Sequence, residues 1–219
     1  MITNANIGSV LKAIEKKAAH WTEPSVSELA AARRSPFRVL IATVLSLRTK
    51  DEVTLPASRR LLALADTPQS MLQLTAKQIQ DAIYPVAFYR NKSKHILGIC
   101  RALIEKHHGT VPDTLEQLLE FKGVGRKTAN LVLILGYGIP GMCVDTHVHR
   151  ISNRFGYIKT KTPDESELAL RKKLPEKYWL KYNDLLVAFG QNQCRPVSPF
   201  CRSCSVSKQC ARVGVTNFR

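Results

Sequence analysis

Residues 121–138 read FKGVGRKTANLVLILGYG, and this stretch decides the architecture. TLEQLLEF before it and TANLVLILGYG within it both carry helical spacing. Gly123 and Gly125, two apart, therefore sit in a short joint between helices. Glycine opens backbone conformations closed to other residues. N–H groups in such a joint can turn outward at the start of the next helix and form an anion site that depends little on side chains. Arg126 and Lys127 add positive charge at the same place. A plain αα-turn with solvated basic residues is the competing reading.

Outward from the joint the period stays helical. Ser35-Pro36, Thr67-Pro68 and Thr162-Pro163 each read as N-cap followed by a first-turn proline. Thr75 opens AKQIQDAIYPVAF, RNKSKHILGICRALIEKHHG runs to a stop at Gly109, and Asp113 with Glu116 reads as a capping box. Asp145 precedes THVHRISNRFG, and EKYWLKYNDLLVAFG leads toward the C-terminal end. No segment alternates with period two, so the expected class is all-α.

The 219 residues carry 33 Lys and Arg against 17 Asp and Glu, a net charge of +16. Such an excess repels itself unless a polyanion is the partner, and nucleic acid is the first candidate. No apolar run reaches the length of a membrane-spanning helix, and the opening MITNANIGSVLKAIEKK lacks the order of a secretory signal. The expectation is a soluble, cytoplasmic chain with reduced thiols.

Cys194, Cys201, Cys204 and Cys210 are spaced C-x6-C-x2-C-x5-C, whereas Cys100 and Cys143 stand alone and read as core residues. Four close thiols in a reducing compartment point to a metal or cluster. Structural zinc usually shows two short knuckles, and only one is present. The longer gaps suit a loop around something larger than one ion; zinc and disulfides are the alternatives. No acidic residue follows Asp184, while Arg195, Arg202, Lys208, Arg212 and Arg219 do, so the loop is basic.

Lys127 stands at a helix start, a poor place for a cation. That local conflict fits a functional amine, and a phosphate contact is the plainer alternative. Asp145 before a helix reads as a cap, or as a carboxylate held beside a substrate. His147 and His149, two apart on a helix, face different directions, which disfavours a shared metal.

Together, GVGRKTAN at 123–130, VDTHVHR at 144–150 and the cysteine array at 194–210 resemble the endonuclease III family of DNA glycosylases, within the helix-hairpin-helix superfamily. The resemblance covers residues 30 to 210. It implies two helical domains with a DNA-binding cleft between them: a six-helix barrel carrying the hairpin at 29–139, and a discontinuous iron–sulfur domain at 1–28 and 140–219. It implies Lys127 as nucleophile, Asp145 as catalytic carboxylate, and the four clustered cysteines as ligands of a [4Fe–4S] cluster. Gly123, Val124, Gly125, Arg126, Thr128 and His147 fall among the expected DNA contacts. The implied partner is duplex DNA containing oxidised pyrimidines or abasic sites, bound by a monomer.

The chain departs from the family pattern in places. Arg48 stands where Gln commonly fills the space left by a flipped base, and Phe88 where a Leu wedge is common. Both can still insert and stack. Phe121-Lys122 replaces the usual Leu-Pro before the glycines. A mismatch glycosylase of the same superfamily would lack the lysine at position 127. A non-catalytic hairpin protein would need neither Lys127 nor Asp145, and a redox sensor would make the cysteines its function.

Overall fold

The computed structural model describes residues 1–18, 20–21, 26–27, 30 and 35–219. Among them every regular element is helical, in agreement with the all-α expectation. The chain divides into two compact units, Met1–Pro24 with Met142–Arg219 (the terminal unit) and Ser25–Gly141 (the central unit). The expected boundary at 28/29 lies outside the described residues. In the terminal unit, α1 spans Ile7–Ala18.

The central unit is built around α2, Pro36–Ser46. Ser35 caps it, accepting from the Arg38 N–H at 3.4 Å. Phe37 and the run Val39–Leu45 are buried, so α2 is apolar on nearly every side, as the middle element of a bundle must be. Around it lie α3 (Asp51–Leu64), α4 (Pro68–Leu72), α5 (Ala76–Ile83) and α6 (Tyr89–His107). Thr67 and Thr75 each close a reciprocal capping box, with Ser70 and Gln78. α5 stops at Ile83, short of the sequence reading, because Pro85 disfavours helical geometry at the residue before it.

The helices α7 (Leu115–Leu119) and α8 (Arg126–Leu131) flank the glycine joint. The cap of α7 is Thr114, not Asp113: its hydroxyl accepts from the Gln117 N–H at 3.5 Å. Two cap-competent residues stand side by side there, and the second takes the role. α8 runs on as a π-helical segment, Val132–Tyr137, which packs against α2.

The terminal unit also contains α9 (Thr146–Arg154), α10 (Pro163–Lys173), a 3-10 turn at Glu176–Tyr178, and α11 (Trp179–Asn192). Thr162 caps α10 as the sequence indicates. Ile7, Leu11 and Ile14 of α1 join Val148, Ile151, Phe155, Tyr182, Leu186 and Phe189 in its core. Tyr182 is fully buried, and its hydroxyl meets Ser152 Oγ at 3.0 Å, which satisfies both polar groups. Residues 193–219 contain turns but no helix or strand.

Candidate functional site

In the glycine joint the two glycines behave differently. Gly123 has φ +88°, and a Cβ there would lie 2.9 Å from His95 Nδ1, so both backbone and space require glycine. Gly125 is extended (φ −98°), and a Cβ would meet nothing within 4 Å. Its lack of a side chain leaves the exposed approach to the start of α8 open. The Val124 N–H closes the turn onto Phe121 O at 3.0 Å, and Val124 and Thr128 are buried. The side chains of those two residues are therefore directed inward. Arg126 and Lys127 are half-exposed in the first turn of α8. Asn130 ties that turn down, its Nδ2 donating to Arg126 O at 2.9 Å.

Arg48 and Phe88, far apart in sequence, come together, and Phe88 lies on a connection rather than in the helical stretch that the sequence indicates. Both are exposed and both hold left-handed backbone, with φ +56° and +57°. Left-handed geometry is uncommon for non-glycine residues and concentrates at functional sites. The Arg48 guanidinium lies 5.9 Å from the Phe88 ring centroid, a cation–π contact.

In the terminal unit Asp145 is the N-cap of α9. Its Oδ1 accepts from the His147 N–H at 2.8 Å and the Val148 N–H at 2.9 Å. It is 9% exposed, so a carboxylate is fixed in direction at an interior helix start. His147 Nδ1 pairs with Arg150 Nη2 at 3.1 Å, and His149 Nδ1 with Ser166 Oγ at 2.7 Å, so the two rings serve different partners. Gly190 makes room for the first: a Cβ there would fall 2.3 Å from His147 Nδ1.

Cys194, Cys201, Cys204 and Cys210 line one cavity, with Phe155, Phe189, Val206, Arg154 and Arg212. Arg154 Nη1 donates to Cys194 Sγ at 3.5 Å, and the Arg212 N–H to Cys210 Sγ at 3.4 Å. Burial, together with the charge of Cys194, raises the pKa of Cys201, Cys204 and Cys210. Thiolates gathered this way need a cationic group to stay ionised. Among the described residues no three His, Cys, Asp or Glu side chains are gathered so as to hold a metal ion. Cys100 and Cys143 are buried core residues, as expected.

Two groups of residues escape sequence reading. Arg150 donates to Cys194 O at 2.9 Å, and Arg154 to Arg195 O and Pro196 O at 2.7 Å each, which pins the cysteine loop to α9. Lys92 is 6% exposed, and its ammonium donates to Leu45 O (2.7 Å), Leu47 O (2.6 Å) and Thr49 Oγ1 (3.1 Å). In sequence Lys92 is one of three basic residues in RNKSK, and nothing local distinguishes it.

Comparison with known proteins agrees with this arrangement. Residues 41–176 match the family described as HhH-GPD superfamily base excision DNA repair protein. Endonuclease III of Thermotoga maritima is 50% identical over 175 residues, 80% of this chain and 82% of that protein. Endonuclease III of Escherichia coli is 35% identical over 176 residues, 80% and 83% of the two chains. A solved trapped endonuclease III–DNA covalent intermediate, an estranged-adenine complex, superposes with a TM-score of 0.84 at 32% identity over 97% of both chains. A thermostable thymine-DNA glycosylase shares the fold, with a TM-score of 0.74 at 20% identity, over 92% of this chain and 96% of that one. Among the described residues no helix is long and apolar enough to cross a membrane. The chain belongs to the HhH-GPD superfamily of base excision DNA repair proteins and, within it, to the endonuclease III family.

Proposed function

We propose that this protein is a bifunctional DNA glycosylase and AP lyase of base excision repair. It removes oxidised pyrimidines from duplex DNA and cuts the strand by β-elimination. The observation that carries the reading is a lysine in the first turn of the hairpin helix, in a chain that also holds a buried, oriented aspartate and is 50% identical over 175 residues to an endonuclease III.

The sugar carbon to be attacked is shielded inside the stack, so the damaged nucleotide must first swing outward, and damage lowers that cost. Arg48 and Phe88 fill the space it leaves. The Lys127 amine then attacks C1′, and the base departs with the electrons of the glycosidic bond. Asp145 stabilises the positive charge developing on the sugar and helps remove the amine proton. Ring opening gives a Schiff base between Lys127 and C1′. It acidifies the C2′–H, and loss of that proton expels the 3′ phosphate. The exposed joint at Gly123–Gly125, with Arg126, holds the DNA backbone, and His147 at the start of α9 is a further DNA contact.

Cys194, Cys201, Cys204 and Cys210 are the residues that would hold a [4Fe–4S] cluster. Four thiols lining one cavity, with N–H donors aimed at two sulfurs, suit a group larger than one ion. When bound, the cluster supplies a cross-link that orders the basic loop. In this reading the barrel is 29–139, the cluster domain comprises 1–28 and 140–219, and a monomer works on DNA in the cytoplasm.

Borohydride reduction should trap a covalent complex with duplex containing thymine glycol, and Lys127→Ala should abolish it. A trap that persists in the alanine variant would assign the nucleophile to another amine.

A further inference from the structure

Arg48 and Phe88 stand on different connections, the first between α2 and α3, the second between α5 and α6. Neither connection is regular, yet both residues hold the same uncommon left-handed backbone and face each other. Something must fix the two connections to one another, and Lys92 touches both. Its ammonium takes the Leu45 and Leu47 carbonyls at the end of α2, where helical carbonyls lack partners. Its third contact is Thr49 Oγ1. Arg48 is thus bracketed by two residues, Leu47 and Thr49, that the same ammonium binds. Thr49 Oγ1 also accepts the Ala87 N–H at 3.2 Å, and the Lys92 N–H donates to Phe88 O at 3.0 Å. Both neighbours of Arg48 therefore converge on the Lys92 ammonium, which reaches the Phe88 connection through Thr49 and Ala87, while the Lys92 backbone itself holds the Phe88 carbonyl.

We propose that Lys92 is a positioning residue for base opening. Its buried ammonium, bridged by Thr49, couples the Arg48 connection to the Phe88 connection so that the two side chains enter the duplex as one unit. This rests on the reading that Arg48 and Phe88 fill the vacated space. Burial lowers the pKa of Lys92 from 10.5 to about 8, so near neutral pH the group stays mostly charged and keeps all three donors. Arginine could not replace it: a planar fork cannot place three donors on acceptors gathered around a point.

The test compares two duplexes, one with thymine glycol and a neighbouring 2-aminopurine, the other with a preformed abasic site, which has no base to swing out. For Lys92→Met, single-turnover excision and the fluorescence rise on opening should fall on the order of ten-fold, the scale of a lost charge-assisted hydrogen bond. Strand cleavage at the abasic site should fall much less. Thr49→Val preserves shape and removes only the bridge. It should give a smaller loss of the same kind and add little to Lys92→Met, since both cut one connection. It carries the test if Lys92→Met does not fold. Equal losses on both duplexes, or full opening in both variants, would overturn the coupling. Arg48→Ala and Phe88→Ala separate the two levels. If they slow opening while Thr49→Val and Lys92→Met do not, the coupling fails and the insertion reading stands. If neither slows opening, the insertion reading fails and takes the coupling with it.

Discussion

The two units hold their exposed functional segments by different physics. In the central unit the candidate residues stand on short connections, or in the helical turn that follows one, between helices whose buried faces share one apolar core. A short joint inherits the rigidity of its flanks, and one buried lysine completes the job at Arg48 and Phe88. In the terminal unit residues 193–219 have no helix or strand. They are held by charged donors reaching from helices: Arg154 to Arg195 O and Pro196 O, Arg150 to Cys194 O, and Lys17 of α1 to Ser203 O at 2.7 Å. Long irregular segments bury too little apolar surface to order themselves and need a cross-link. In the proposed reading a cluster held by the four thiols provides one.

On the proposed reading, the sharpest way to break this contrast is to remove the cluster. Cys204→Ser, or stripping of iron, should abolish the visible absorbance of iron–thiolate ligation. It should expose residues 193–219 to protease and weaken undamaged-duplex binding by about a hundred-fold or more, because several basic contacts are lost together. The helices of the central unit should stay protected. Survival of the ordered loop would mean that the arginine–carbonyl bonds suffice alone.

Cavities placed in each core sharpen the same point. Leu40 in α2 and Leu186 in α11 are both fully buried. Each Leu→Ala change should cost about 2–5 kcal/mol in the intact protein. After iron removal the Leu186→Ala cost should shrink, since its unit is already loosened, whereas the Leu40→Ala cost should hold. Denaturant melts of the wild type and both variants, before and after iron removal, measure this, and equal costs before and after would erase the distinction.

Asp145 is the terminal unit's own test of cap against chemistry. Asn caps a helix about as well as Asp, so Asp145→Asn should leave the melting temperature nearly in place. Loss of the negative charge should nonetheless slow excision by about a hundred- to a thousand-fold, the scale of one missing electrostatic stabiliser. Single-turnover kinetics beside a melt decide it, and unchanged turnover would reduce Asp145 to a cap.

The contrast also explains what sequence could carry. Ser35, Thr67, Thr75 and Thr162 were legible because a cap and its partner lie within three residues. The cysteine array was legible for the same reason, as its spacing is local. Lys92 was not, because its acceptors lie 43 to 47 residues away. Nor were the arginine bonds to the loop, which span 40 to 44 residues. The π-helical turn after Leu131 changes backbone winding without changing which residues are apolar, so periodicity could not register it. The pairing of Arg48 with Phe88 needed the fold, because neither residue is unusual in its own stretch.

The smallest effect separates the two glycines of the joint, which sequence treated alike. Gly123→Ala must force a side chain into left-handed backbone and against the His95 ring, so it should destabilise by about 1–2 kcal/mol. Gly125→Ala meets extended backbone and open space, so stability should change by no more than about 0.5 kcal/mol. If open space at Gly125 is where a phosphate approaches, the added methyl should weaken duplex binding several-fold at one salt concentration and leave the salt slope nearly unchanged, since no charge is lost. Gly123→Ala should weaken binding only in proportion to the distorted turn. A Gly125→Ala protein with undiminished affinity would show that the joint packs the central unit without touching DNA, and Arg126 and Lys127 would then carry the phosphate contact by side-chain charge alone.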